Sequence, residues 1–206
     1  MTGGQADAAG LILAGGGSRR LGGRKLDLPW GGETLLSRIV RVMTGALPEV
    51  WLVGNQARSI PTAFPRPHVL RDQLRLGPIG GLMLGLEAAE QPVAVVVAAD
   101  MPFVEPDAIH RLLELSTGAQ ATVLRTQDGL HPLLGVYHRG CLPAIRAAIG
   151  RDHRRVTAFW DEVDVRVVDV EDDPFWSRCL FNINSLEDYH RALRVRDDMA
   201  GQPATR

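Results

Sequence analysis

A glycine-rich segment that directly follows a short apolar run constrains the fold of this chain more than any other feature. Residues 10–14 are apolar enough to form a buried strand, and residues 13–25 contain five glycines and four basic residues. Glycines let a backbone approach its ligand closely and turn several N–H groups toward an anion. With Arg20 and Lys25 adding positive charge, the strand and its loop predict a binding site for phosphate groups.

Short apolar runs alternate with helical patterns along most of the chain. Residues 93–99 are continuously apolar, as expected of a strand that is buried on both faces of a parallel sheet. Residues 34–43 place apolar side chains on one helical face, and Thr34 is suited to cap that helix. The alternation predicts an α/β fold with a mostly parallel central sheet flanked by helices.

The same patterns set the expected elements. Asp128 and Gly129 form a turn signal between two strand patterns and predict a small antiparallel part. Ser185 and Asp188 fit a capping box that opens a last helix. The predicted strands span residues 10–14, 50–53, 68–70, 93–99, 121–124, 133–137 and 163–170, and the other predicted helices span residues 34–43, 79–90, 106–115, 142–149 and 156–160.

Length, charge and cysteine content narrow the class of protein. The chain has 206 residues and a formal net charge of −1, so we expect one domain and no nucleic acid partner, since proteins that bind nucleic acid are usually basic. The longest apolar run is too short to cross a membrane, and we expect no secretory signal.

The two cysteines are far apart, which fits a reducing cytoplasm. We expect one domain over residues 1–206, with its core at about 9–195 and flexible tails at 1–8 and 196–206.

Polar residues directly after the predicted strands are the candidate site. Ligands of open parallel sheets bind beyond the carboxyl ends of the strands. Asp100 follows the apolar run at 93–99 and is suited to hold Mg²⁺ against phosphates. Asp72 and Asn55 follow two other strands as a second acid and a donor to a base or ribose, although each residue type is also common in ordinary turns. The glycines at 77–81 open a helix whose free N–H groups favour an anion, or they make a tight turn.

The glycine-rich loop fits neither of the two common phosphate-binding patterns. Gly15 lacks a glycine five residues later, which a dinucleotide fingerprint requires, and Gly23 stands where a P-loop requires lysine. Residues 13–25 instead resemble the LAGG-x-S-x-R-[ML]-G-x-x-K signature of nucleotidyltransferases with a Rossmann-like GT-A type fold. More narrowly, the chain resembles the molybdenum cofactor guanylyltransferases. The further landmarks of that resemblance are Asn55, Arg71-Asp72, the glycine-rich run at 77–81, Asp100-Met101-Pro102, His131-Pro132, Arg154-Arg155-Val156 and the run at 181–185.

The resemblance implies an activity and a set of roles. It implies Mg²⁺-dependent transfer of GMP from GTP to molybdopterin, with Lys25, Arg20 and Asp100 as the catalytic residues and Asp100 as the metal ligand. The implied nucleotide-binding residues are Leu13, Ala14, Gly15, Gly16, Gly17, Lys25, Asn55, Asp72 and Asp100. The implied acceptor-binding residues are Gly80, His131, Arg154, Arg155, Asn182 and Asn184. The expected state is a monomer or small homo-oligomer that contacts other molybdenum cofactor proteins transiently and binds no membrane.

Several alternatives stay open at this point. Arg24 stands where many members of the family have Asp, which bears on the choice of nucleotide or acceptor. The same loop also serves cytidylyltransferases of this cofactor and nucleotidyltransferases of sugar or polyol phosphates. A nucleotide-binding module without catalysis is a third alternative, against which Lys25 and Asp100 both argue. His131 alone is more often structural, the basic run at 151–155 is equally consistent with a solvated face, and Trp30 is the one tryptophan with a case for stacking on a ligand.

Overall fold

The computed structural model describes residues 8–15, 25–54, 66–73 and 75–201. Its strands are β1 (Ala8–Ala14), β2 (Pro29–Trp30), β3 (Glu33–Thr34), β4 (Glu49–Gly54), β5 (His68–Leu70), β6 (Val93–Ala98), β7 (Ala121–Thr126), β8 (Gly129–His138) and β9 (Val165–Asp169). Its α-helices are α1 (Leu35–Ala46), α2 (Pro78–Ala88), α3 (Pro106–Leu115), α4 (Leu142–Gly150), α5 (Pro174–Cys179) and α6 (Leu186–Gly201). Short 3₁₀ turns are formed by Lys25–Asp27, Arg139–Cys141 and Val156–Glu162.

Seven strands form one mixed sheet in the order β5-β4-β1-β6-β8-β7-β9. The strands β5, β4, β1 and β6 are mutually parallel, and β7 pairs in parallel with β9. Because β8 is antiparallel to both β6 and β7, it is the strand of this sheet that runs against the other six. The short ribbon of β2 and β3 is antiparallel and separate. The predicted α/β class, mostly parallel with a small antiparallel part, is confirmed.

Helices cover both faces of the sheet because its strands are apolar on both sides. In β1, Leu11 and Leu13 point toward α2, while Ile12 points toward α1, which packs beside α3 and α5. The second face is completed by α4 and the 3₁₀ turn at Val156–Glu162. A third cluster lies under α6 and contains Trp30, Leu35, Phe103, Ile183, Tyr189 and Ala192. No helix in the described ranges has the length and the apolar character that a membrane span requires.

Two predicted helix starts are confirmed by their caps. The hydroxyl oxygen of Thr34 accepts a hydrogen bond from the backbone N–H of Ser37 at 3.1 Å, which starts α1. At α6, the Ser185 hydroxyl accepts from the N–H of Asp188 at 3.0 Å, and the Asp188 carboxylate accepts from the N–H of Ser185 at 2.9 Å. This reciprocal pair is a capping box, with Asp in the place usually taken by Glu.

The structure corrects the predicted ends of the core. Helix α6 continues to Gly201, so residues 196–201 belong to a helix and are no irregular tail. One of the contacts there is Arg196, whose guanidinium lies 5.2 Å from the centre of the Trp30 ring. At the other end, Ala8 is already buried in β1. The organisation of residues 1–206 as a single domain stays a prediction.

Three short elements were missed and a fourth was misjudged, because they leave no periodic pattern. The strands β2 and β3 have two residues each, and α5 has six. Helix α5 starts where Asp173 accepts a hydrogen bond from the N–H of Phe175 at 2.8 Å. Residues 156–160 were predicted as helical, and the helical turn that they form is the 3₁₀ turn Val156–Glu162 and not an α-helix.

Candidate nucleotide and acceptor site

The carboxyl ends of four parallel strands meet at one edge of the sheet. Leu13 of β1 lies opposite Val53 of β4 and Ala98 of β6, and Val53 lies opposite Leu70 of β5. Ala14 therefore ends β1 in the centre of this edge, where the glycine-rich loop begins. The predicted site residues Gly16, Gly17, Arg20 and Asn55 lie outside the described residues, whereas Gly15 is described and exposed.

Lys25 and Asp100 form an ion pair at this edge. Lys25 follows the glycine-rich loop and opens a 3₁₀ turn whose next residue, Leu26, is buried. Asp100 follows β6 directly. The Nζ atom of Lys25 lies 2.6 Å from Oδ2 of Asp100, and the two side chains are only 14% and 21% exposed. Charges this far withdrawn from water attract each other more strongly than an exposed surface pair does.

The second oxygen of the same carboxylate has no partner among the described residues. Oδ1 of Asp100 is buried and accepts no hydrogen bond from them. A buried carboxylate oxygen without a donor is costly, and a hard cation is one natural partner for it. The described ranges contain no cluster of three or more His, Cys, Asp or Glu side chains able to hold a metal. Asp100 therefore fits a metal that draws its other ligands from substrate phosphates and water, as Mg²⁺ does.

The backbone around Asp100 connects the end of β1, where the glycine-rich loop begins, with the segment at 182–184. The N–H of Ala99 donates to the carbonyl of Leu13 at 3.1 Å, which attaches the turn to β1. The carbonyl of Asp100 accepts from the N–H of Ile183 at 3.0 Å. Because Ile183 is fully buried, this bond fixes the segment that holds Asn182 and Asn184 beside Asp100.

Three aromatic rings hold the segments of the site together. Trp30 packs edge-on against Phe103 with ring centres 5.3 Å apart, and Phe103 packs edge-on against Phe181 at 5.8 Å. These residues lie shortly after Lys25, shortly after Asp100 and directly before Asn182. Trp30 is only 4% exposed, so the expectation that it could stack on a ligand is wrong. No sequence pattern predicts these contacts, because they join distant parts of the chain.

Asp72 and the start of α2 form another part of the edge. The Oδ1 atom of Asp72 accepts a hydrogen bond from the N–H of Arg75 at 3.0 Å, a contact typical of a turn aspartate. Gly77 caps α2 with a φ of +73° and is exposed, so its backbone can face a ligand. Gly80 is buried, and a Cβ atom there would lie 2.7 Å from Cβ of Leu76, so it serves the packing of this turn.

The basic run at 151–155 approaches the same helix start. A Cβ atom on Gly77 would lie 3.7 Å from the carbonyl oxygen of Arg154. The Arg154 side chain is ion-paired with Asp152 and, like Arg155, is exposed. The structure therefore places the backbone of Arg154 beside the amino end of α2, and the side chains of Arg154 and Arg155 are exposed. Helix N–H groups at such an end favour an anion, as do arginine side chains.

His131 lies where β8 departs from its partner. Leu124 of β7 pairs with His131, but the preceding residue Val123 pairs with Gly135. The three residues 132–134 of β8 therefore have no paired residue in β7 and form a bulge. The Tyr137 hydroxyl donates to the carbonyl of Pro132 inside this bulge at 2.7 Å. The His131 Nε2 atom lies 2.8 Å from the Thr126 hydroxyl.

The charge state of His131 follows from its surroundings. Burial lowers the pKa of the imidazole below its usual value, and the negative charge of Asp128 partly opposes that shift. His131 is therefore mainly neutral at pH 7. Since β8 is antiparallel to β6, and Leu134 pairs with Val97, His131 lies toward the edge where Asp100 stands.

The fold and this edge together are those of an α/β domain of the nucleotidyltransferase type. The model of the MobA-like NTP transferase domain matches residues 10–165. A probable molybdenum cofactor guanylyltransferase of Pelotomaculum thermopropionicum is 32% identical over 196 residues, covering 90% of this chain and 91% of the relative. The chain belongs to the MobA-like NTP transferase family, and it is a nucleotidyltransferase.

Solved structures show the same fold. The molybdopterin-guanine dinucleotide biosynthesis protein A of Archaeoglobus fulgidus superposes with a TM-score of 0.78 at 23% identity, covering 93% of this chain and 100% of that one. A Mycobacterium tuberculosis protein solved in complex with manganese superposes with a TM-score of 0.65 at 20% identity, covering 92% and 99%. At these identities the superpositions support the architecture alone.

Proposed function

We propose that this enzyme transfers GMP from GTP to molybdopterin, releases pyrophosphate and so forms the guanine dinucleotide form of the cofactor. The observation that most supports the proposal is the Lys25–Asp100 pair at the end of the glycine-rich loop. One lysine and one carboxylate with an unpartnered oxygen lie at the carboxyl edge of the sheet from which the glycine-rich loop starts, and this supports a triphosphate site there. The proposed specificity for a guanylyl group and for molybdopterin is supported by the similarity to a probable molybdenum cofactor guanylyltransferase, which covers 90% of this chain.

The reaction is an in-line displacement at phosphorus. An oxygen of the terminal phosphate of molybdopterin forms a bond to the α-phosphorus of GTP, and the bond from that phosphorus to the bridging oxygen of the β-phosphate breaks. The attacking phosphate is already anionic at neutral pH, so no general base is needed. This agrees with the described site, where His131 bonds to Thr126 and is not paired with a carboxylate. Catalysis then depends on positioning and on neutralising charge.

Each side of the site has a role in this proposal. The backbone of Leu13, Ala14, Gly15, Gly16 and Gly17 would hold the nucleotide, and Lys25 with Arg20 would offset charge on the departing pyrophosphate. Asp100 would hold Mg²⁺, which when bound supplies further positive charge to the phosphates. Asn55 and Asp72 would contact the nucleoside. Around the acceptor, the proposed residues are Gly80, His131, Arg154, Arg155, Asn182 and Asn184.

The test measures product and pyrophosphate together. Purified protein is incubated with Mg²⁺, molybdopterin and GTP, CTP or ATP in turn. We expect a dinucleotide product with GTP, and a fall in kcat of about 100-fold or more in Asp100→Asn, the order of loss seen when one charge-stabilising group is removed. Glu87→Gln is the matched control, because Glu87 is also an ion-paired carboxylate but bonds to Arg146 on the surface.

Other outcomes would reassign the enzyme. A preference for CTP would move it to the cytidylyltransferases of the same cofactor. Binding of GTP without a molybdopterin product would contradict the acceptor, and sugar and polyol phosphates would then be tested. Binding without transfer to any acceptor would support a non-catalytic module. Full activity in Asp100→Asn would refute the role of Asp100.

A further inference from the structure

In the proposed reaction two cations compete for the carboxylate of Asp100, namely the Lys25 ammonium and the metal ion. One oxygen, Oδ2, already contacts the Lys25 ammonium at 2.6 Å. The other, Oδ1, is buried and without a partner in the described part of the chain. Mg²⁺ binds carboxylate oxygens at about 2.0–2.1 Å, so a metal on Oδ1 would lie only a few ångströms from the ammonium.

Repulsion at such a distance is weakly screened here. Both side chains are largely withdrawn from solvent, and salt screens buried or partly buried charges much less than exposed ones. The single negative charge of the carboxylate would then face three positive charges, one on the ammonium and two on the metal ion. The pair as it stands is therefore a stable arrangement for the protein without nucleotide, and an unfavourable one for a free metal ion.

The pair is also held in place by packing. Leu26, directly after Lys25, is buried. Trp30 contacts Phe103 of the segment that follows Asp100, so the backbones bearing the two charged groups are fixed against each other. The side chain of Lys25 is the movable part, because four rotatable bonds separate its ammonium from the backbone.

We propose that Lys25 has a second role, as a placeholder cation that blocks Asp100 until a nucleotide arrives. This inference rests on the proposed function in one respect, the assignment of Asp100 as the metal ligand. The phosphates of a nucleotide can pair with the Lys25 ammonium in place of Asp100, and their oxygens can fill the remaining ligand positions of the metal. Divalent metal therefore enters with the nucleotide or after it, and the free protein binds the metal weakly.

The experiment measures metal binding without nucleotide and without turnover. Mn²⁺ is titrated into the full-length protein and free Mn²⁺ is followed by electron paramagnetic resonance. We expect Lys25→Met to lower the Kd for Mn²⁺ by about tenfold or more, because the repulsion removed exceeds the energy of one factor of ten even at the effective dielectric of a protein surface. Lys25→Arg is the matched control: it keeps the positive charge, and its Kd should stay near that of the wild type.

The outcomes are decisive in either direction. The gain in Lys25→Met should vanish when Asp100→Asn is added, since the released site is that carboxylate. Equal Mn²⁺ affinity in the wild type and in folded Lys25→Met would overturn the proposal, as would tight binding in Lys25→Arg. If Lys25→Met does not fold by circular dichroism, Lys25→Gln gives the same comparison. A protein that failed to transfer GMP would refute the proposed function and leave this titration readable.

Discussion

Gly54 is the position where one methyl group should damage the site most directly. It ends β4, has a φ of +148° and lies opposite Ala14, the last residue of β1. A Cβ atom on Gly54 would lie 2.6 Å from the carbonyl oxygen of Ala14 and 2.8 Å from its carbonyl carbon. These are backbone atoms and cannot rotate away. Gly54→Ala must therefore push the two strands apart just before the glycine-rich loop.

The expected cost has two parts. An L-residue at this φ is strained by about 1–3 kcal/mol. The clash with Ala14 adds the cost of overpacking, typically about 1–3 kcal/mol. The free energy of unfolding should fall by roughly 2–6 kcal/mol, and for a chain of this size each kcal/mol lowers Tm by about 2–4 °C. The local displacement should also raise the KM for GTP, the proposed nucleotide substrate, because Ala14 is followed directly by Gly15, where the glycine-rich loop begins.

Gly45→Ala is the matched control. Gly45 lies in α1, and a Cβ atom there meets nothing within 4 Å. Alanine is preferred over glycine inside a helix by about 1 kcal/mol, so this variant should keep or raise Tm. Thermal unfolding by circular dichroism and a GTP titration test both variants. A Gly54→Ala protein with the Tm and the KM of the wild type would show that the two strands separate freely, and the reasoning would fail.

Three further predictions concern other buried or half-buried groups. Tyr137→Phe leaves the Pro132 carbonyl without its donor and should lower the free energy of unfolding, measured by chemical denaturation, by about 1–3 kcal/mol. Thr122→Val removes a buried hydroxyl that has no partner in the described chain, so it should leave the free energy of unfolding unchanged or raise it. Because folding lowers the pKa of His131, protonation of this imidazole destabilises the folded protein. The free energy of unfolding should be unaffected by His131 above the unfolded pKa of about 6.5 and should fall as the pH drops through the lower pKa of the folded state. An NMR titration that gives His131 a pKa above about 6.5 would contradict this. Burial raises the pKa of the Cys141 thiol to about 11 and that of the Cys179 thiol to about 12. Neither thiol should therefore react with a thiol reagent at about pH 8 unless the protein is unfolded.

The sequence predicted those parts of the site that follow directly from strand ends. Asp100 comes immediately after an apolar run, so the strand pattern alone places it at the carboxyl edge of the sheet. Lys25 closes a glycine-rich loop that starts at the same edge. The contact between the two could not be predicted, because they are 75 residues apart and are brought together by the packing of Trp30 on Phe103.

The boundaries that were wrong have local causes. Helix α6 extends past residue 195 although its outer face is polar, because the tertiary contact of Arg196 with Trp30 supports a stretch that has no apolar period of its own. The strands β2 and β3 have two residues each, which is too few to show alternation, and the six residues of α5 are shorter than the window in which a helical period is recognised. They form where their neighbours require them.

Asp100 explains why the two halves of the site depend on each other. Its side chain pairs with Lys25 on the proposed nucleotide side, while its backbone carbonyl accepts a hydrogen bond from the N–H of Ile183 on the proposed acceptor side. A shift of this one residue would displace both groups at once. Two hydrogen bonds limit that shift, one from Ala99 to Leu13 and one from Ile183 to Asp100, and both partners are buried. The backbone at Asp100 is therefore held rigidly, so that the movement needed to exchange lysine for nucleotide and metal falls on side chains alone.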